Sequence, residues 1–332
     1  MKRLLLAVAV LCAQAWAADP VRIIFDTDMG NDVDDALALS LLHAFENRGE
    51  ARILAVTITK DNRWAPPFVD LVNTFYGRGG IPIGIVKNGA TRDDGNYTRP
   101  VAEKKRPGGG LLYPRKLTPN AVVPDAQAVL RRTLAAQPDA SVVIVQVGFS
   151  TNLARLLDSP ADDASPLAGP ALVKAKVRHI VLMAGRFSDA ETEYNIINDI
   201  PAAKKLFAEW PTPIVTSGFE IGRSVPLPAA RIESDFRRPQ NHPIADAYRA
   251  YKKMPYDEPL WDPTAALYAV RPDAGYFSLS PAGTIAVDDK GRTTFSATAD
   301  GRQRYLVVND TQRARIVEAV AGLISEPPER CH

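Results

Sequence analysis

Apolar runs alternate with helical segments along most of the chain. Six apolar runs predict buried strands at residues 21–25, 53–59, 81–85, 141–147, 179–183 and 213–216. Segments with helical spacing follow or separate them at residues 35–46, 67–77, 126–136, 152–157, 200–209 and 263–270. Strands that are apolar throughout are buried on both faces, and their alternation with helices is typical of a mostly parallel sheet. With 46% hydrophobic residues, the chain can build one large α/β domain.

Two stretches depart from this alternation. Residues 89–119 are rich in glycine, proline and charge and lack periodicity, so we expect a long surface loop that is either a lid or disordered. Residues 275–306 contain short alternating runs with turn signals, which predict small antiparallel strands before a final helix at residues 310–324. The predicted fold is a single α/β domain with a mostly parallel central sheet flanked by helices and a small antiparallel addition near the C-terminus.

The N-terminus has the pattern of an export signal. Lys2 and Arg3 precede an apolar run at residues 4–13, and residues 15–17 give the small-x-small pattern of a signal-peptidase site. A lipid anchor on Cys12 is the alternative, but the residues before it lack the small side chain expected there. We therefore predict a signal peptide at residues 1–17 and a mature domain at residues 18–332, periplasmic or secreted and without a membrane anchor.

Charge and cysteine content argue against a general nucleic-acid binder and against a fold stabilised by an intramolecular disulfide. The formal net charge is +2 at pH 7, and removal of Lys2 and Arg3 would bring it to zero (+2 − 2 = 0). A balanced surface argues against a general nucleic-acid binder, which needs a basic stripe to displace counterions. The mature chain would keep one cysteine, Cys331, so stability must come from a packed core rather than from a disulfide.

The strongest functional signal is an acidic segment directly after the first predicted strand. Residues 26–37 read Asp-Thr-Asp-Met-Gly-Asn-Asp-Val-Asp-Asp-Ala-Leu, with five carboxylates within ten residues. Each close pair of such charges costs roughly 1 kcal/mol or more at a surface-like dielectric, unless a hard divalent cation neutralises them. Helix capping would explain Asp34 or Asp35 but not all five acids. The segment therefore predicts a metal site at the carboxyl edge of the sheet, where open α/β folds bind ligands.

Two other motifs fit this segment less well. An EF-hand loop that began at Asp26 would need a bidentate Glu at its twelfth position, where this chain has Leu37. A haloacid-dehalogenase-type phosphotransferase also places Asp-x-Asp after the first strand, but it expects Thr or Val where this chain has Gly30. The phosphotransferase stays open as the weaker alternative.

Residues 26–37 resemble the DxDxGxDDxxA signature of the inosine/uridine-preferring nucleoside hydrolase family. Further matches follow in the family's order. Residues 147–152 resemble its G-x-x-T-N turn, residues 193–201 resemble its E-F-N-I-x-x-D-P segment, and residues 261–263 resemble its late [H/W]-D-x pair. Asn62 is a weaker match. The resemblance implies a hydrolase with a mostly parallel α/β fold. This enzyme would use calcium to cleave ribonucleosides into base and ribose.

The resemblance also implies a role for each matched residue. Calcium would be held by Asp28, Asp35, the backbone carbonyl of Thr151 and Asp262, and Asp28 would also be the general base. Ribose would be bound at its 2′ or 3′ hydroxyl by Asp34, at its 5′ end by Glu193 and Asn195, and at a ring hydroxyl by Asn62. N-glycoside cleavage passes through an oxocarbenium-like sugar, so water must be activated on one face while the base departs from the other.

Two departures from the family form leave alternatives open. Residues 31–33 separate Gly30 from Asp34 where the common form has one residue, so Asp32 could replace Asp34 or Asp35. The second departure is Trp261, which stands where many members carry the His that protonates the base.

Trp261 resembles the purine-preferring branch, in which tryptophan stacks on the base, although it could instead pack in the core. Each of the chain's four histidines is predicted to be structural or solvated: His43, His179, His242 and His332. Trp64, Tyr97 and Tyr113 are candidates for further walls of a base pocket, and Trp64 could equally cover the following helix.

The leading prediction is an exported, calcium-dependent nucleoside hydrolase that acts on ribonucleosides with a purine preference and could form homo-oligomers. The alternative is a non-catalytic exported protein that binds ribose or nucleosides on the same fold. Related N-ribosyl compounds are further candidate substrates. An assay for released reducing sugar separates the enzyme from the binding protein.

Overall fold

The computed structural model describes residues 19–237 and 239–328. The predicted signal peptide at residues 1–17, with Cys12, lies outside the described residues, as do Cys331 and His332. Among the residues that are described, no helix is both long enough and apolar enough to cross a lipid bilayer.

The two described ranges contain twelve strands and thirteen helices. The strands are β1 (Val21–Thr27), β2 (Ala51–Ile58), β3 (Ile83–Ile85), β4 (Val142–Gln146), β5 (Val177–Met183), β6 (Ile214–Ser217), β7 (Pro226–Leu227), β8 (Glu258–Pro259), β9 (Ser278–Leu279), β10 (Gly283–Val287), β11 (Thr293–Ala297) and β12 (Gln303–Val307). The helices are α1 (Asp34–Asn47), α2 (Ala65–Phe75), α3 (Thr98–Ala102), α4 (Ala126–Ala135), α5 (Thr151–Asp158), α6 (Gly169–Lys176), α7 (Tyr194–Ile197), α8 (Ile200–Glu209), α9 (Phe219–Arg223), α10 (Ala229–Asp235), α11 (Pro243–Tyr251), α12 (Trp261–Val270) and α13 (Asp310–Ile324).

Ten of the described strands form one sheet around β1. Its order is β11-β10-β12-β6-β5-β4-β1-β2-β3, with β9 paired to β12 outside this order. The strands from β3 to β12 across the middle of the sheet are parallel, whereas β9, β10 and β11 pair in antiparallel fashion. This arrangement confirms the predicted fold class. All six predicted strands and all seven predicted helices are present, with ends shifted by at most two residues.

Helices cover both faces of the sheet, and alternate residues of β1 point to the two sides. Ile23 and Phe25 are fully buried in the layer that includes α1, α2, α12 and α13. Ile24 is fully buried in the opposite layer, with α4, α5, α6 and α8. Burial of such a side chain contributes about 1.5–3 kcal/mol. The packing therefore fixes β1 in the middle of the molecule, and the residues after Thr27 are held at the carboxyl edge of the sheet.

Residues 89–119 lie mostly at the surface without regular secondary structure, as their composition predicts. They contain α3, and both Tyr97 and Tyr113 are buried. The Tyr97 ring packs edge-on against Phe68 of α2, with centroids 5.2 Å apart, and the Tyr113 hydroxyl donates to Asp246 of α11 at 2.5 Å. The surface-loop prediction therefore holds for most of the segment, and the two tyrosines anchor it to helices that lie elsewhere in the sequence.

Candidate active site

The acidic segment leaves the sheet at the carboxyl end of β1. Asp28 follows this strand directly, and Asp34 and Asp35 are the first residues of α1. Between them, Gly30 has a positive φ of 117°, which glycine tolerates and other residues rarely adopt. Its N–H donates to the Tyr97 hydroxyl at 2.9 Å. The segment 89–119 therefore supports the turn that carries the acids.

The acids form a buried cluster. Asp32, Asp34 and Asp35 each offer one carboxylate oxygen, and these oxygens all lie within 4.8 Å of one another. Asp262, on the first turn of α12, joins them because its backbone N–H donates to Asp34 Oδ2 at 2.9 Å. The side chains of Asp28, Asp34, Asp35 and Asp262 are buried, whereas Asp32 is partly exposed.

Burial raises the pKa of every acid in this cluster, and repulsion from neighbouring carboxylates adds to the rise for all of them except Asp32. Desolvation, with a contribution from the charge of Asp32, raises the pKa of Asp28 to about 8. Desolvation and the neighbouring carboxylates hold the pKa values of Asp34, Asp35 and Asp262 well above their ordinary range. A group of carboxylates with these shifts is one that a bound cation would stabilise in the ionised form.

The donor set fits a hard cation. Asp34 Oδ1 and Asp35 Oδ2 are buried and have no hydrogen-bond partner. Unpartnered buried oxygens are costly unless something else satisfies them. The other oxygen of Asp35 accepts from the Thr27 hydroxyl, which fixes the carboxylate while leaving Oδ2 free. Calcium prefers oxygen ligands, and a group of neighbouring carboxylates supplies several of them.

Thr151 is the first residue of α5. Its hydroxyl donates to Asp199 Oδ2 at 2.5 Å, and the next residue, Asn152, donates to Asp26 Oδ1 at 2.8 Å. Asp26 also accepts from Thr57 of β2, and burial raises its pKa to about 7. Asp26 therefore links β1 to β2 through Thr57. Through Asn152 it also holds the N-terminus of α5 at the same edge of the sheet.

A small pocket opens next to the acids. Its lining consists of Asp28, Asp32, Val147, Met183, Glu193, Tyr194, Asn195, Phe219, Trp261 and Asp262. The rings of Trp261 and Phe219 lie 5.5 Å apart at 30°, and the Trp261 indole donates to the Phe219 carbonyl at 3.0 Å. Tyr194 is 48% exposed at this position. The pocket lining thus combines carboxylates with aromatic rings.

Glu193 and Asn195 line the same pocket, but some of their polar atoms already form hydrogen bonds with backbone groups of the protein. Glu193 accepts from the backbone N–H groups of Gly185, Asn195 and Ile196 at 2.7–3.2 Å, and burial raises its pKa to about 7. The Asn195 amide nitrogen donates to the carbonyls of Val147 and Met183 at 2.9 and 3.1 Å. The amide oxygen of Asn195 is consequently the group that can accept from a ligand.

The structure does not bring Asn62 to this pocket. Its amide nitrogen donates to the carbonyls of Arg92 and Asp93, at 3.0 and 2.8 Å, and its oxygen accepts from Trp64 N at 2.7 Å. These bonds occupy both ends of the side chain. In this structure Asn62 fastens the loop at residues 92–94 rather than facing the acids.

The other aromatic and imidazole candidates also lie away from the pocket. Trp64 is buried against the core at the start of α2, as expected of a helix cover. Tyr97 and Tyr113 are buried elsewhere, so the expectation that they wall a base pocket was wrong. His43 bonds Asn73 at 2.9 Å, His179 lies within β5, and His242 caps α11, so these three are structural.

Sequence reasoning missed Phe219 and Tyr194 as lining residues. Tyr194 occupies the middle of the matched segment at residues 193–196, so its position between two assigned side chains was an available signal. Phe219 comes two residues after β6, at the same edge of the sheet as Asp28. Its position after a parallel strand was the corresponding signal.

Fold and site together define a class of protein. A parallel α/β sheet presents buried carboxylates for a cation beside a pocket lined in part by aromatic rings, which suits a hydrolase acting on a polyhydroxylated group joined to a ring. Residues 23–322 match the model of the inosine-uridine preferring nucleoside hydrolase family, and the chain belongs to this family. It is accordingly a hydrolase that acts on N-glycosyl compounds.

Solved structures share the fold at low sequence identity. A plant nucleoside hydrolase, the PpNRh1 enzyme, is 22% identical with a TM-score of 0.67, covering 93% of this chain and 100% of its own. A purine-preferring ribonucleoside hydrolase from Gardnerella vaginalis is 21% identical with a TM-score of 0.68, covering 92% and 98%. The type III effector XopQ complexed with adenosine diphosphate ribose is 18% identical with a TM-score of 0.67, covering 92% and 95%. No curated protein matches the sequence.

Proposed function

We propose that the protein is a calcium-dependent hydrolase that cleaves the N-glycosidic bond of ribonucleosides, with a preference for purines, to give base and ribose. The observation that carries this proposal is a pocket that Asp28, Asp32 and Asp262 line together with aromatic side chains, next to the buried carboxylates of Asp34 and Asp35. The carboxylates suit a cation and sugar hydroxyls, and the aromatic side chains suit a planar base.

The residues proposed to hold calcium are Asp28, Asp35, Asp262 and the carbonyl of Thr151, with Asp32 as the substitute ligand. The unpartnered oxygen of Asp35 and the burial of Asp28 and Asp262 support this set. When bound, the ion would supply positive charge against the carboxylates and polarise the attacking water.

The chain's own side chains would carry out the proton transfers and the binding of ribose. Asp28 accepts a proton from water, whose oxygen bonds to C1′ as the bond from C1′ to the base nitrogen breaks. A ribose hydroxyl would donate to Asp34, whose Oδ1 has no partner, or to Asp32, which lines the pocket where Asp34 does not, while Glu193 and Asn195 would take the 5′ end. The departing base takes up a proton, so that the products are ribose and the neutral base.

Departure of the base is the step in which Trp261 would act. No described histidine lines the pocket, and a pyrimidine anion leaves poorly without a proton donor. A purine can accept a proton on its imidazole ring, and a stacked indole stabilises the cationic form. The fold shared with the purine-preferring ribonucleoside hydrolase from Gardnerella vaginalis supports the same choice.

A nucleoside screen tests the proposal. The purified protein, with and without calcium, is offered common purine and pyrimidine ribonucleosides, and released reducing sugar is measured. We expect faster turnover of purines than of uridine. Trp261→Ala should lower kcat/KM by about 5- to 150-fold, whereas Trp261→Phe, which keeps a ring, should lose less. A uridine preference, or full activity in Trp261→Ala, would show that another acid protonates the base.

The alternative function is binding without turnover. The longer acidic turn and the tryptophan in place of a histidine favour it, and XopQ, which has the same fold, was solved with adenosine diphosphate ribose. Calorimetric binding of a nucleoside without release of ribose, in the presence of calcium, would support this alternative and exclude hydrolysis.

Export is proposed on the sequence pattern of residues 1–17 alone. The mature protein should begin at Ala18 and be recovered from the periplasm or the medium without a lipid. N-terminal sequencing and intact-mass measurement of the native protein decide this. Retention of Met1, or a lipid on Cys12, would contradict the proposal.

A further inference from the structure

Lys60 is a fully buried lysine, two residues beyond the end of β2, that the proposed mechanism does not use. Its ammonium group donates to Asn31 Oδ1 at 2.6 Å and to Asp93 Oδ1 at 3.0 Å. Removing a charge from water costs several kcal/mol, so buried lysines are rare unless they are paired. Asp93 is 68% exposed, and an ion pair with so exposed a partner contributes only about 0–1 kcal/mol. The salt bridge alone does not account for this lysine.

Asn31 connects Lys60 to the acid cluster. The amide nitrogen of Asn31 donates to Asp28 Oδ2 at 2.5 Å, while the amide oxygen accepts from Lys60. A lysine ammonium can only donate hydrogen bonds, so it selects the orientation in which the asparagine oxygen faces it. The nitrogen must then face Asp28. Without Lys60, the amide oxygen would lose the bond that fixes it, and the nitrogen would no longer be held in place against Asp28 Oδ2.

The lysine stem is held in place by the turn above it. A Cβ at Gly30 would lie 3.6 Å from both Cδ and Cε of Lys60, and 3.2 Å from Thr98 Cγ2. The stem therefore fills the space beneath residues 29–33, and the ammonium has little room to move. Asn31 belongs to the residues by which this turn exceeds the common family form.

We propose that Lys60 is a positioning residue that acts on Asp28 through Asn31, holding one oxygen of that carboxylate so that the other faces the reactants. The inference rests on the proposed role of Asp28 as the general base. It also assigns a role to the additional residues of the turn at 31–33. Asn31 connects Lys60 to Asp28 by hydrogen bonds, and a shorter turn would lack this residue.

Kinetics of Lys60→Met test the link, because methionine keeps an apolar stem of similar length without the ammonium. We expect kcat to fall on the order of 10- to 100-fold, the cost of misplacing a reacting group by about 1 Å, with KM nearly unchanged. Asn31→Ala should lower kcat in the same way. In the double variant the two losses should not multiply, because both break one chain of contacts.

Asp93→Asn is the matched control, because it removes the other partner of Lys60. Its kcat should stay within about fivefold of the wild type, as for an exposed ion pair. Losses that multiply in the Lys60→Met/Asn31→Ala protein would overturn the proposal. A kcat in Asp93→Asn as low as that of Lys60→Met would also overturn it, since the lysine would then act through the loop at residues 92–94.

A measurement without substrate separates this inference from the proposed function. In ¹H–¹⁵N NMR spectra, the side-chain amide of Asn31 is identified by its loss in Asn31→Ala. Lys60→Met should shift this resonance, and Asp93→Asn should leave it in place. An unshifted resonance in Lys60→Met overturns the inference even if the wild type hydrolyses nucleosides. Absence of turnover in the wild type would refute the proposed function while this spectrum still decides the role of Lys60.

Discussion

Asp35 and Asp32 differ in burial, and this difference bears on which of them ligates the cation. Asp35 is fully buried with one free oxygen, whereas Asp32 is partly exposed. We expect Asp35→Asn to abolish calcium binding and nucleoside turnover, with the far-UV circular dichroism spectrum unchanged because the substitution is isosteric. Asp32→Asn should keep measurable binding with a weaker affinity. Isothermal titration calorimetry on both variants is the measurement.

The opposite result would reverse this assignment. If Asp35→Asn binds calcium as the wild type does and Asp32→Asn does not, the acids are used in a different register across residues 31–33. The partly exposed acid would then be the ligand, and Asp34 and Asp35 would serve the sugar or the helix terminus.

Site residues that lie close together in the sequence could be predicted from it. Contacts between residues that only the fold brings together could not. The acids at residues 26–35 stand together in the sequence, and they stand together in the fold because a strand end and a helix start fix them. The Asn31–Lys60 bond, by contrast, joins residues 29 positions apart. Nothing in the pattern around Asn62 indicates that its amide would be occupied by the loop at residues 92–94.

At the level of elements, the contact between α9 and α12 sets the position of the aromatic rings in the pocket. A Cβ at Gly222 would lie 2.3 Å from Trp261 Cα and 2.4 Å from its Cδ1, so α9 must move if this glycine is replaced. We expect Gly222→Ala to lower the free energy of unfolding by about 1–3 kcal/mol, as overpacking does. It should also reduce purine turnover, because Trp261 is displaced. Denaturant titration and kcat/KM for a purine nucleoside measure the two effects.

Gly322 in α13 is the matched control for this substitution. A Cβ there meets no atom within 4 Å, and alanine is the better helix former by about 0.5–1 kcal/mol. Gly322→Ala should therefore stabilise the protein slightly and leave turnover unchanged. If Gly222→Ala were equally harmless, the close packing of α9 on Trp261 would have no bearing on the pocket.

The central strands and the longest helices were predicted well, whereas α3, α6, α7, α9, α10 and α11 were not predicted. The central strands are apolar along their whole length because helices cover both faces, so their runs are visible in the sequence. α7 and α9 have four and five residues, which is too short for a helical period to show. The antiparallel strands near the C-terminus were expected, but the parallel pairing of β12 with β6 depends on contacts between distant segments.

For the whole molecule, the buried acids predict how stability changes with pH. The pKa values of Asp26, Asp28 and Glu193 are raised to about 7, 8 and 7 in the fold, from 3.8, 3.8 and 4.5. Asp34, Asp35 and Asp262 have raised pKa values as well, so between about pH 4 and pH 8 the buried acids of the metal-free folded state bind more protons than in the unfolded chain. Burial lowers the pKa values of His43, His179 and His242, which act in the opposite direction below about pH 6.5 but are fewer than these acids. The stability of the folded state is greatest at the acid end and is lost as pH rises, by about 1.4 kcal/mol per excess proton per pH unit.

Urea titrations at several pH values, with chelator or with calcium, check this prediction. In chelator, the free energy of unfolding should fall from pH 5 to pH 8. Calcium should reverse much of this loss, because a cation favours the ionised acids in the folded state. Stability that rose with pH in chelator would show that the acids ionise freely without a cation.

The hydrogen bond from Asp262 to Asp34 spans 228 positions of the chain, and this separation has a consequence for the folding reaction. Contacts between remote segments form slowly, because loop-closure entropy is lost before they contribute. We expect Asp34 and Asp262 to meet only after the sheet between them has assembled. The acid cluster is then completed only when the last third of the polypeptide has folded. The onset of tight cation binding during refolding would consequently mark completion of the tertiary structure rather than its nucleation.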